Sequence, residues 1–251
     1  FWRVSFALPL LALLAQRASG GVGAPSRFAV AAGLAFACDL AVWHYSIRFT
    51  SVANATVLSN LTPVVVTAAA WIFLKQRPAR LFVAAVALAI AGAWMMAVGR
   101  GAHAPGADPP LGDALALTTA FWYALYFLAI SAARRDAGAA RVMFWSSLVS
   151  APALLLAALA LGEPILPASR GGWAALAGLG LMHVAGQGSI AWALGRLPPA
   201  TASVVVLIQP VVAAILGWLL FAEALGPLQA LGGAVALTGV VLAQAASRRP
   251  A

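Results

Sequence analysis

Along the chain, apolar residues gather into nine long blocks, at about 1–15, 28–48, 52–74, 81–99, 111–132, 142–162, 172–193, 199–221 and 227–245, with Gly-, Pro- and Arg-rich segments between them. A helix needs about 20 apolar residues to cross the roughly 30 Å hydrocarbon core of a bilayer, so each block predicts a transmembrane helix. The first is short, since about 15 residues rise only about 23 Å at about 1.5 Å each.

Within this pattern the chain repeats itself. An ungapped offset of 147 positions carries Ala53, Ala55, Val57, Pro63, Val64, Val65 and Trp71 onto Ala200, Ala202, Val204, Pro210, Val211, Val212 and Trp218, and Gly33, Leu81 and Gly92 onto Gly180, Leu228 and Gly239. Alanines and valines coincide easily in such a chain, but Pro, Trp and Gly agreeing at one offset mark an internal repeat. The opening "FWRVSFALP" also echoes "FWSSLVSAP" at 144–152. That echo favours a span over a secretory signal peptide, which Arg3, an apolar middle and small residues would otherwise suggest.

The repeat divides the chain into a first copy at 1–99, a linker at 100–110, a second copy at 111–246 and a tail at 247–251. The second copy holds five spans and the first four. The sequence begins at Phe1 and not at a Met, so the expectation is an all-α integral membrane protein of two inverted five-helix repeats, ten helices when intact, with nine present here and the first missing.

Charge tests the inversion. A copy with an odd number of spans inserts upside down, so equivalent loops should differ in charge. Lys75, Arg77 and Arg80 fill the connection after the third span, whereas the matching "AEALGP" has no Lys or Arg. One side collects Arg17, Arg27, Lys75, Arg77, Arg80, Arg134, Arg135, Arg141, Arg196, Arg248 and Arg249; the other holds Arg48, Arg100 and Arg170, with Arg3 near a helix end. The richer side, with the C-terminus, is expected to be cytoplasmic. Composition agrees with membrane residence: 63% hydrophobic, 8% charged, mean hydropathy +0.96. The net charge of +9 is scattered singly and in small groups between apolar blocks, unlike the basic clusters of nucleic-acid-binding domains. The lone cysteine, Cys38, allows no internal disulfide and reads as packing.

Polar groups inside spans are costly, roughly 2.5 to 3.5 kcal/mol for a charge at the helix centre, and so mark candidate function. Asp39 lies mid-span with Trp43 four residues on, on one helical face. His183 lies mid-span in the equivalent helix of the second copy, with Gln187 a turn further. Asp39 corresponds to Gly186 and His183 to Phe36, so a site built from both copies is asymmetric. A carboxyl and an imidazole can each exchange a proton, and Asp39 can instead bind a cationic group; the alternative for both is packing. Thr56, Asn60 and Pro63 share a stripe, and Pro63 and its twin Pro210, beside Gln209, each remove a mid-helix hydrogen bond, serving as hinges or static kinks. Thr119, Trp122, Tyr123 and Tyr126 form a polar and aromatic face suited to stacking on an organic solute or to helix packing. Trp71 and Trp218 read as interfacial anchors, Arg3 and Glu223 as snorkelling and loop-capping groups, and His44, His103 and Asp108 carry no assigned role. Gly232 and Gly239, seven apart, suit internal packing or a homodimer. The absence of HExxH, GxSxG, a Walker loop or an acidic metal-ligand pair gives no support for catalysis, metal, cofactor or ATP drive.

With these residues in place, "SIRFTSVANATVLSNLTPVVVTAAAWIFL", its echo "GRLPPATASVVVLIQPVVAAILGWLLFAEAL" and the glycine-bearing helix after each resemble the EamA-type branch of the drug/metabolite transporter superfamily. The resemblance covers nearly the whole chain and implies two inverted five-helix halves, cytoplasmic termini and secondary transport of small organic solutes, often outward. One departure is Gln76, where the family usually has a Glu that Glu223 matches in the second half. The expected function is a transporter of the cytoplasmic (inner) membrane with a substrate or proton site among Asp39, Trp43, Asn60, Tyr123, Tyr126, His183 and Gln187. Its expected partners are a small organic solute, membrane lipid and possible protons, with no nucleic acid. Two alternatives stand beside it: a membrane enzyme or lipid-processing protein, which would place polar clusters at span ends, and a non-transporting partner subunit.

Overall fold

The computed structural model describes residues 1–50, 55, 58–75, 77–99, 107–221 and 226–247. Thr56, Gln76, Arg100, His103, Glu223, Arg248 and Arg249, which entered the reading above, lie outside the described residues. The helices are α1 (Trp2–Ser5), α2 (Ala7–Ser19), α3 (Arg27–Ser46), α4 (Thr62–Leu74), α5 (Arg80–Gly99), α6 (Pro109–Ala133), α7 (Ala139–Ala160), α8 (Arg170–Leu194), α9 (Pro199–Val205), α10 (Gln209–Phe221) and α11 (Pro227–Ser247), with a 3-10 turn at Val206–Ile208 joining α9 to α10. Among the described residues α3, α6, α7, α8 and α11 are long and apolar enough to cross a membrane. Helices α6, α9 and α11 open on a proline, whose missing N–H costs nothing in the first turn. Gly20 closes α2 at φ 69°, a left-handed conformation that glycine adopts without a Cβ clash. Large side chains such as Phe73, Leu156 and Val241 face outward, 77%, 66% and 65% exposed, which suits lipid and not water.

Three expected spans are interrupted. The first breaks at Phe6 between α1 and α2; Pro9, four residues after Ser5, has no N–H for its carbonyl. The span 52–74 restarts at Thr62, after a turn in which the Leu61 amide donates to the Leu58 carbonyl (3.2 Å) and the Val64 amide to the Leu61 carbonyl (2.9 Å). The span 199–221 tightens into the 3-10 turn before α10. Both half-helices begin one residue before their proline, at Thr62 and Gln209, and each is 13 residues long. The 147-residue repeat is therefore carried into the breaks as well as the helices.

Two compact units emerge, and each draws on both copies: residues 1–41 with 125–198, and 42–124 with 199–251. In the first, α2 packs on α7 and α1 on α8. The indole Nε1 of Trp2 donates to the Ile165 carbonyl (2.7 Å), and that of Trp145 donates to the Val22 carbonyl (2.9 Å). The donors are 143 residues apart and so are the acceptors, so one contact is the copy of the other. The pairings 2 with 165 and 22 with 145 run in opposite directions, which sets α2 and α7 antiparallel. Arg141 reinforces the second contact through the Ser19 (3.1 Å) and Gly21 (3.2 Å) carbonyls. Trp173 reinforces the first, edge-on to Trp2 at 4.8 Å and to Phe6 at 6.2 Å. Residues 1–19 are thus a packed part of the unit. Beyond α6, Arg134 donates to the Ala191 (2.9 Å) and Ala137 carbonyls; burial, with Arg196 nearby, holds its guanidinium below the ordinary value.

In the second unit, α5 packs against its own copy, α11. A Cβ placed on Gly92 would lie 2.6 Å from the Gly232 carbonyl oxygen, one on Gly232 2.7 Å from the Met96 nitrogen, and one on Gly239 2.6 Å from the Ala89 Cα. Residue numbers rise along α5 as they fall along α11, so the copies run antiparallel with backbones nearly touching. Close backbone approach of this kind supplies the van der Waals contact that replaces the hydrophobic effect between helices in lipid. Gly232 and Gly239 thereby serve internal packing, the first of the two uses the sequence left open.

Candidate functional site

The first unit holds a buried polar and aromatic cluster assembled from five helices. Helix α3 supplies Phe36 and Asp39, three residues apart and so on one face. Helix α6 supplies Tyr126, α7 Ser147, α8 His183 and Gln187, and α1 Arg3. The Tyr126 hydroxyl donates to Gln187 Oε1 at 3.0 Å and lies 3.6 Å from Met143 Sδ. Ser147 Oγ and His183 Nε2 share a hydrogen bond at 3.1 Å. The Phe36 ring packs 5.1 Å from Tyr126 and 5.3 Å from His183, centroid to centroid. Phe36, Tyr126, Ser147 and His183 are all at most 2% exposed.

Phe36 and His183 are equivalent under the 147-residue offset, so the repeat places a residue against its own copy and makes the pair chemically unequal. On one side stands a benzene ring, on the other an imidazole. His183 Nδ1 is buried with no hydrogen-bond partner among the described residues. An unpaired buried polar atom is destabilising by about 1 to 3 kcal/mol and invites a functional explanation.

Arg3 departs from its expected place at a snorkelling position. Its Cζ lies 5.8 Å from the centre of the Phe36 ring, within cation–π range, and its charge acts on both Asp39 and His183. Asp39 itself is half-buried. The cluster therefore contains a fixed cation, a carboxyl, an imidazole, an amide and a phenol in apolar surroundings.

Of the expected site residues, Asp39, Tyr126, His183 and Gln187 belong to this unit, and the last three join one buried network with Ser147 and Phe36. Trp43, Asn60 and Tyr123 belong to the second unit. There Trp43 packs edge-on to His44 at 5.1 Å, and Tyr123 is half-buried on α6. Asn60 Nδ2 is buried without a partner among the described residues, as is Thr67 Oγ1. The two are seven residues apart, on either side of Pro63, and Thr67 extends the polar stripe noted in the sequence. Pro63 and Pro210 open the half-helices α4 and α10. Among the described residues no group of three or more His, Cys, Asp or Glu is placed to hold a metal ion.

The sequence alone missed Arg3, Ser147, Phe36 and Thr67. Phe36 was legible through the offset that pairs it with His183, and Thr67 through its spacing from Asn60. Nothing distinguished Ser147 from the other serines of its span.

Comparison with known proteins follows the same outline. The model of the EamA-like transporter family matches residues 1–98 and 110–244. A search of curated proteins finds no match. A solved structure titled only "Crystal structure of protein" superposes with a TM-score of 0.80 over 99% of this chain and 88% of that one, at 19% identity. At that identity the likeness speaks for the fold.

Proposed function

The chain belongs to the EamA-like transporter family, and from that premise we propose that it is a secondary transporter exporting a small organic metabolite across the cytoplasmic (inner) membrane by alternating access. It is a multi-pass membrane protein of a transporter family, so a small solute is its cargo. The observation that carries the finer reading is the buried network of Tyr126, Gln187, His183 and Ser147 around Phe36, drawn from both copies and holding an unpaired imidazole nitrogen.

In this reading the cluster admits the solute by rearrangement of its helices, since intramembrane polar groups mark substrate and ion pathways. The solute takes over the hydrogen bond that Gln187 makes with Tyr126, pairs with His183 Nδ1 and stacks against Phe36 and Tyr126. Asp39 receives a proton or a cationic group of the solute, and its change of charge links transport to the proton gradient. The half-helices that begin at Thr62 and Gln209, each with a proline as its second residue, supply interrupted backbone of the kind transporters use at binding sites and hinges. The excess of Arg and Lys on one set of loops supports a cytoplasmic C-terminus.

The test is a metabolite panel presented to everted vesicles containing the protein, read by mass spectrometry and repeated with Asp39→Asn at two pH values. One compound class should accumulate in a pH-dependent way with the wild type, and the substitution should abolish that dependence. Unchanged, pH-dependent accumulation in Asp39→Asn would remove Asp39 from the coupling step.

A further inference from the structure

Helix α4 ends on an unusual residue. Lys75 closes it at φ 57°, its amide donating to the Ala70 carbonyl, and is the one non-glycine residue with positive φ among the described residues. Glycine or asparagine ordinarily fills such a cap, because a Cβ is strained there, and backbone strain of this kind gathers at functional sites and ligand clamps. Around the same helix end lies a cavity of about 360 Å³ lined by Trp71, Ile72, Lys75 and Arg77. Trp71 and Ile72 are 52% and 60% exposed, and both basic residues are exposed as well.

The cavity thus sets two positive charges beside an indole and a branched aliphatic chain. The sequence supplies no acid between Asp39 and Asp108 to offset those charges. The described acids of this unit, Asp108 and Asp113, are engaged at the start of α6, where Asp108 accepts from the Leu111 amide (3.3 Å) and Asp113 from the Thr50 hydroxyl (2.6 Å). The repeat separates the two ingredients. The 147-residue offset carries Trp71 and Ile72 onto Trp218 and Leu219, which keeps the apolar wall, but carries Lys75 and Arg77 onto Ala222 and Ala224. Tryptophan rings settle at the headgroup level of a bilayer, and basic residues beside a span attract anionic lipid. A guanidinium grips phosphate through its fork of donors and a lysine as a point charge.

We infer that the end of α4 is a binding site for an anionic phospholipid of the leaflet faced by the Lys- and Arg-rich loops. Lys75 and Arg77 hold the headgroup phosphate, and Trp71 and Ile72 pack against the glycerol and the upper acyl carbons. A zwitterionic lipid brings its own cation to the phosphate and is held less well. The site belongs to the second unit and does not rest on the reading of the buried cluster.

The test takes the purified full chain from mixed micelles holding equal amounts of phosphatidylglycerol and phosphatidylcholine with the same acyl chains, and counts the retained lipids by native mass spectrometry. The wild type should prefer phosphatidylglycerol by at least about tenfold, as two basic groups at a membrane surface allow. The pair Lys75→Gln with Arg77→Gln should lose that preference, and Trp71→Ala should weaken it although both charges remain. The pair Arg17→Gln with Arg135→Gln, which removes as much exposed charge from the same set of loops, should keep it. No preference in the wild type, an undiminished one without Lys75 and Arg77, or an equal loss in the Arg17 and Arg135 pair would overturn the inference. A full preference in Trp71→Ala, or displacement of the lipid by equimolar inorganic phosphate, would make this a site for a free anion and overturn it too. Should the double variant fail to fold, Arg77→Gln alone, which lies beyond the helix, decides: undiminished retention overturns the assignment.

Discussion

At the scale of single residues, the hydrogen bond from Tyr126 to Gln187 offers a way to separate function from packing. Interhelical hydrogen bonds in membrane proteins average about 0.6 kcal/mol and reach about 1.7. Tyr126→Phe should therefore lower stability only slightly, as followed by thermal unfolding in detergent, while reducing solute flux well beyond what the lost stability explains. A large drop in stability with flux per folded molecule unchanged would make the pair a packing device. Ser147→Ala should act through His183, freeing Nε2 as well as Nδ1. It is expected to change the pH profile of flux more than its maximum, and an unaltered profile would show that the hydroxyl does not orient the ring. Costly groups at mid-span were legible in the sequence, which is why Asp39, His183 and Gln187 stood out. Arg3 did not, because position along a helix tells how deep a Cα lies and not where a long side chain turns.

At the scale of helices, two devices hold the units together. The α5–α11 pair depends on the missing side chains of Gly92, Gly232 and Gly239. Gly92→Ala would press a methyl group against the Gly232 carbonyl, and overpacking of that kind costs about 1 to 3 kcal/mol. The expected result is a lowered unfolding midpoint in detergent, larger than that of Gly178→Ala, since a Cβ at Gly178 meets open space. Equal effects would show that the close approach is not what stabilises the pair. The second device is the pair of indole bonds, Trp2 to Ile165 and Trp145 to Val22. The glycine repeat was visible in the sequence before the contact was. The indole bonds were not, because Ile165 and Val22 take part through backbone carbonyls, which every residue carries. The breaks before Pro63 and Pro210 were half legible: proline announced a disturbance, but only the backbone shows that each helix stops and restarts.

At the scale of the whole molecule, the repeat explains more than any single residue. In each unit a helix of one copy packs on an antiparallel helix of the other, α2 on α7 and α5 on α11, which is the geometry an inverted repeat requires. The family assignment rests on the same long pattern, which the sequence displays nearly from end to end. What the sequence could not display is which side chains meet, because the 147-residue offset states equivalence and only the fold turns equivalence into contact, as between Phe36 and His183. The central claim is that this cluster carries the solute. The most direct measurement is solute flux in proteoliposomes by wild type, His183→Ala and the outward-facing control Trp94→Ala, which removes a side chain 54% exposed. The account predicts flux of one compound class that His183→Ala reduces at least about tenfold, some 1.4 kcal/mol or more, while the control keeps it. Flux that survives His183→Ala undiminished would contradict it.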